Sequence, residues 1–110
     1  MALLERARVA VYVPDLPAPH YRNLLRSFEE EFVYAFGGCT IVRGLEGNYL
    51  NRLGTKTLDR INLIYADLPL ALSTNFKTTA HYADELREAA SEALDEESVL
   101  VSVAQIYHAI

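Results

Sequence analysis

Between Tyr21 and Phe36 the apolar residues return at every third or fourth position: Tyr21, Leu24, Leu25, Phe28, Phe32, Ala35 and Phe36. That spacing lines one side of an α-helix and leaves Arg22, Asn23, Arg26, Glu29 and Glu30 for the other. Gly37 and Gly38 follow at once, and glycine takes the left-handed conformation that closes a helix without steric cost. Pro17 and Pro19 stand where such a helix begins, because the first turn has no use for the missing N–H. The sequence therefore predicts a helix over 18–36. An amphipathic helix needs a surface to cover its stripe, and the flanking segments must supply one.

They have the composition of strands. Residues 8–13, Arg-Val-Ala-Val-Tyr-Val, are β-branched and aromatic and stop at Pro14. Cys39-Thr-Ile-Val-Arg43 predicts a second strand and 57–66 a third, joined as a hairpin with an elaborated connection. In the third, Ile61, Leu63 and Tyr65 alternate with Arg60, Asn62, Ile64 and Ala66. A second stripe, Phe76, Ala80, Ala83, Leu86, Ala90, Ala93 and Leu94, predicts a helix over 74–94 with an acidic exterior. No capping box marks its start. A last strand is expected over 98–108. The order β-α-β-β-α-β predicts an α+β, ferredoxin-like domain with an antiparallel sheet and two helices on one face. At 110 residues the chain is expected to form one such domain over 1–110.

A sheet covered by helices on one side needs only one apolar face. Here Val9, Val11 and Val13 oppose Ala10 and Tyr12; Val99, Val101, Val103 and Tyr107 oppose Leu100, Ala104 and Ile106. A second apolar face of that size predicts self-association, and large exposed apolar patches usually mark such contacts. A homodimer of the dimeric α/β-barrel type is the first expectation, with a trimer as the other possibility.

Composition narrows the partners. The formal net charge of −5 argues against nucleic acid. Residues 1–60 carry eight Lys/Arg against seven acids, and residues 61–110 two against eight. No uncharged apolar run approaches the roughly 20 residues of a membrane span, and Glu5 interrupts the N-terminus before a signal peptide can form. A cytoplasmic protein with no membrane partner is expected. Cys39 stands alone, which excludes an internal disulfide and multi-cysteine zinc patterns. Its expected role is a small apolar residue rather than a nucleophile.

All five glycines fall between positions 37 and 54. Gly44-Leu-Glu-Gly47 matches neither the phosphate loop nor the dinucleotide fingerprint. Arg43, Arg52, Lys56 and Arg60 surround this segment, and arginine presents a fork that fits carboxylates and phosphates. Asn48 adds an amide and Tyr49 a stacking ring. The expected ligand-binding set is Arg43, Asn48, Tyr49 and Arg60, for a small anionic ligand. A plain bulge with two turns and solvated surface charges accounts for the same residues. His20, His81 and His108 meet no metal-ligand spacing, and no nucleophile elbow is present, so no metal, cofactor or catalytic residue is assigned. Tyr12, Tyr65 and Tyr107 are strand tyrosines that pack in the core or share a cavity within the sheet.

The segments Gly37-Gly-Cys-Thr-Ile-Val, Gly47-Asn-Tyr49 and Glu97-Ser-Val-Leu-Val101 together resemble uncharacterised bacterial ferredoxin-like families of unknown function. That resemblance implies a fold and no activity. Size and element order are also similar to signalling proteins of the nitrogen-regulatory PII kind, which bind nucleotides between subunits of a trimer beside a long connection between the second and third strands. In this chain that connection is short, and the family's nucleotide-binding residues find no match. The expected function is a non-catalytic small-molecule- or protein-binding module acting as a homo-oligomer. The alternative is a small cofactor-independent enzyme of the dimeric α/β-barrel type, a monooxygenase or isomerase.

Overall fold

A computed structural model describes residues 3–95 and 99–109. Six elements follow one another: β1 (Leu3–Pro14), α1 (Pro19–Phe36), β2 (Thr40–Leu50), β3 (Lys56–Leu68), α2 (Phe76–Leu94) and β4 (Leu100–Ala109). The strands form one antiparallel sheet in the order β2-β3-β1-β4. This is the ferredoxin-like arrangement, with both helices on one face. Glu96, Glu97 and Ser98, expected to end the acidic run and open the last strand, lie outside the described residues.

The helix-facing side of the sheet builds the core. Ala7, Val9, Val11 and Val13 of β1 point there with Ile64, Ala66 and Leu68 of β3 and Val99 before β4. Leu24, Leu25, Phe28 and Phe32 of α1 and Leu86, Ala90 and Leu94 of α2 close over them. α1 ends as its sequence predicts: Gly37 takes φ +84° and donates its N–H to the Val33 carbonyl at 2.9 Å. α2 departs from the expectation at its start. Phe76, counted in the stripe, is exposed, while Thr79 is buried and donates its hydroxyl to the Asn75 carbonyl at 2.8 Å. A threonine satisfied one turn back behaves as a core residue, which hydrophobic periodicity alone does not reveal.

The largest difference lies in β2, expected to end at Arg43 and found to run on to Leu50. Its register with β3 shifts between Val42 and Leu45, so Arg43 and Gly44 together oppose Asn62. Gly44 takes φ +69°, and its N–H donates to Asn62 Oδ1 at 3.1 Å. Glycine here makes a bulge rather than an end. Beyond it β2 and β3 form a two-stranded ribbon that outruns the helices, with residues 48–60 exposed throughout. The radius of gyration reflects this at 15.1 Å, against about 13 Å for a rounded domain of this length.

Candidate functional site

Strand alternation places the other side of the sheet away from both helices. Across all four strands the pairing aligns Val42, Leu63, Tyr12 and Leu100 in one row and Thr40, Tyr65, Ala10 and Ser102 in the next. Tyr12 and Tyr65 thus share this open face, whereas Tyr107 falls on the helix-facing side beside Glu5, so the three tyrosines do not form one cavity.

The row after these carries charge. Arg8 pairs with Asp67 across β1 and β3: Nε donates to Oδ1 at 2.7 Å and the second fork nitrogen to Oδ2 at 3.0 Å. The guanidinium carbon lies 4.2 Å from the centre of the Tyr65 ring, within cation–π range. His108 of β4 completes the set, its Nε2 2.9 Å from Asp67 Oδ2. The Arg8 hydrogen bond, and with it the one to His108, hold the Asp67 carboxyl below the usual carboxylate range against the opposing effect of burial. Nothing in the sequence joins these residues, since 59 positions separate Arg8 from Asp67 and 41 separate Asp67 from His108. The one available signal was a charged residue at an outward position of an otherwise apolar strand.

Beside this network a cleft of about 280 Å³ opens at the sheet edge, lined by the Phe36–Thr40 connection and by Tyr65, Ala66 and Asp67. Cys39 lies in it, half-buried. Burial, and then the charge of Glu29, push its thiol upward, so it stays protonated and a poor nucleophile.

The four residues expected to bind a ligand sit on the ribbon and its root. Arg43 lies in the bulge, on the side of Ile41, and lines a groove against α1. Arg60 comes close to the same bulge, its fork 3.9 Å from where a side chain on Gly44 would begin. Asn48 shares the helix-facing side with Arg60 one register step further out. Tyr49 occupies the opposite side and folds back over Gly47, where a Cβ would stand 2.6 Å from its ring. The ribbon therefore gathers Arg43, Asn48 and Arg60 on one side and turns Tyr49 to the other.

These features define a ferredoxin-like α+β domain with an uncovered sheet face and a charged ribbon. No family model matches the chain, and no curated protein matches it in sequence. Its backbone is similar to solved structures. CutA1 from Oryza sativa superposes with a TM-score of 0.61 at 20% identity, covering 97% of this chain and 84% of that one. The divalent cation tolerance protein CutA1 from Thermus thermophilus gives 0.57 at 18%, covering 92% and 82%. CPII, a nitrogen regulatory PII-like protein from Thiomonas intermedia bound to ADP, AMP and bicarbonate, gives 0.54 at 17%, covering 99% and 98%. At such identities the likeness establishes the fold. Among the described residues no three His, Cys, Asp or Glu side chains converge as metal ligands, and no helix is long and apolar enough to cross a membrane.

Proposed function

We propose that the chain is a homo-oligomeric, non-catalytic binding module, its copies joined through the open face of the sheet and a small anionic ligand held at the root of the β2–β3 ribbon. The open face is the observation that carries this reading. Leu63, Tyr12 and Leu100 cross it as an apolar row, and Arg8, Asp67 and His108 beside that row are paired with one another. Arg8, Asp67 and His108 can be covered by another copy without leaving an unpaired charge behind, the costly outcome of burying ions. Two such faces in contact form a dimeric α/β barrel; three around an axis form the arrangement implied by the PII resemblance. The dimer is the arrangement to test first. The ligands named for the PII-like structure are anions, which supports Arg43, Asn48 and Arg60 as an anion site here. Tyr49, on the far side of the ribbon with its ring over Gly47, is left out of this anion site.

The enzyme alternative calls for an acid–base pair inside a closed cavity. The side chains between sheet and helices form one apolar core, and the two clefts described above open to the surface. A native mass spectrum of the purified protein tests the reading, since it reports subunit number and any retained small molecule together. Multiples of the 12.3 kDa chain are expected. A spectrum and a sedimentation equilibrium profile showing the single chain alone at micromolar concentration overturn the oligomer.

A further inference from the structure

The groove between α1 and the β2 bulge has a volume of about 350 Å³ and is lined by Arg22, Leu25, Arg26, Glu29, Glu30 and Arg43. Its geometry follows from two local rules. Arg22 and Arg26 are one helical turn apart and so project side by side from α1. Alternation from Ile41 puts Arg43 on the helix-facing side of β2, as the first residue of the bulge that follows Val42, the last regularly paired position. Leu25, buried at 5% exposure, forms an apolar floor.

Three guanidinium groups thus border one groove, and among the described residues none has a carboxylate within 4.0 Å. Glu29 and Glu30 share the groove and offset these charges only in part, three cations standing against two anions. Glu29 lines the groove and makes no ion pair with any of the three. Glu30 lies one turn from Arg26 and makes no ion pair with it. The lining therefore keeps an excess of one positive charge, and its three unpaired forks are free to close on an anion. Each fork offers two parallel donors to the oxygens of a tetrahedral anion. The volume is at the lower end of small-molecule sites, which suits a compact ligand of high charge density.

We propose that this groove binds an oxyanion of the phosphate or diphosphate class, bridged between Arg22 and Arg26 of α1 and Arg43 of β2. The proposal rests on the reading of the chain as an anion-binding module and moves the centre of the site from the ribbon to the helix. The two placements share Arg43 and differ in every other contact.

Inorganic pyrophosphate is the probe, titrated calorimetrically at low ionic strength into the assembled protein. The variants are Arg22→Ala, Arg26→Ala, Arg60→Ala and Asn48→Ala, all at exposed positions, with unliganded thermal midpoints as the check on folding. Saturable binding of one pyrophosphate per chain is expected. Arg22→Ala and Arg26→Ala should each weaken it about tenfold or more, the usual scale for a charge-assisted hydrogen bond. Arg26→Lys should restore it in part, and raising sodium chloride to about 0.5 M should weaken it, as expected for screened surface charges. A parallel ADP titration separates the sources: equal affinity assigns the groove to the diphosphate itself, and tighter ADP binding to a nucleotide that carries one. Absence of saturable pyrophosphate binding overturns the proposal. So does unchanged binding by both helix variants; if Arg60→Ala and Asn48→Ala then lose affinity, the ribbon site stands and the groove falls. Loss in the helix variants alone upholds the groove and removes the ribbon placement.

Discussion

Asp67 accepts hydrogen bonds from two other strands, and this makes the open face sensitive to acid. Its carboxyl lies below the usual range in the folded chain, chiefly through Arg8. A group whose folded value is depressed contributes stability above its unfolded value, near pH 4, and loses it as pH falls further through the folded value. Asp67→Asn should therefore lower the unfolding free energy at pH 7 by about 1–2 kcal/mol, the scale of a charge-assisted pair. It should also flatten the loss of stability as pH falls below about 4. Arg8→Ala should reproduce the effect more fully than His108→Ala; the reverse order, in chemical denaturation at several pH values, contradicts the assignment of Arg8 as the main partner. Cys39 offers a second residue-scale measurement. Its thiol is raised by burial and then by Glu29, so at mildly alkaline pH it should react with a disulfide reagent more slowly in the folded chain than in urea. Glu29→Gln should speed that reaction. An unchanged rate removes Glu29 from the neighbourhood of Cys39.

Among the elements, α1 was the most legible in the sequence, predicted over 18–36 and found at Pro19–Phe36. Its stripe runs the length of the helix and a glycine pair ends it, so local and tertiary signals agree. Phe28 and Phe32 both lie in the core, Phe32 with no exposed surface. Phe28→Ala should cost about 3–5 kcal/mol through lost burial and the cavity left behind, read as a fall in the urea midpoint. α2 carries the opposite opportunity. The Ser91 hydroxyl is buried and has no hydrogen-bond partner among the described residues. Ser91→Ala removes an unsatisfied group and favours the helix, so it should raise stability by up to about 1 kcal/mol; a lowered thermal midpoint means the hydroxyl has found a partner. β2 was the least legible element. Gly44 and Gly47 look like strand breakers, yet one supplies the positive φ of a bulge and the other lies under the Tyr49 ring. The bulge reverses the alternation beyond it, so Asn48 rather than Tyr49 joins the side of Arg43, and simple alternation could not sort them. Arg22 and Arg26 were visible as the polar side of α1, but only the fold brings that side against Arg43.

For the whole molecule, the apolar content of both sheet faces was readable strand by strand, and the structure keeps Tyr12, Leu63 and Leu100 on one uncovered surface. The charged network beside them was not readable, because it joins three strands that are distant in sequence. Leu100 is the best probe of what covers this face. It is 60% exposed in the single chain and lies opposite Tyr12, away from the Arg8 cation. Ala104, by contrast, lies opposite Arg8, where an introduced glutamate gains a partner. Leu100→Glu should leave the folded single chain intact and separate the copies, since burying an unpaired charge costs several kcal/mol, about 3–5 in measured cases. Sedimentation equilibrium of the variant should show the 12.3 kDa species. An oligomer that survives this change uses another surface.

The pairing of β1 with β4 sets Leu3 directly against Ala109. The chain is therefore a nearly closed ring, sealed by a seam between its first and last strands. Forming that seam draws together segments almost a full chain length apart, an ordering cost that grows with the logarithm of the loop it closes. A short peptide bridge across the seam would meet that cost in advance, and the opening for new termini would then lie at the Asn51–Thr55 turn, where the ribbon is already free of the core. A ring permuted there keeps every strand neighbour and exchanges only which hairpin is covalently continuous.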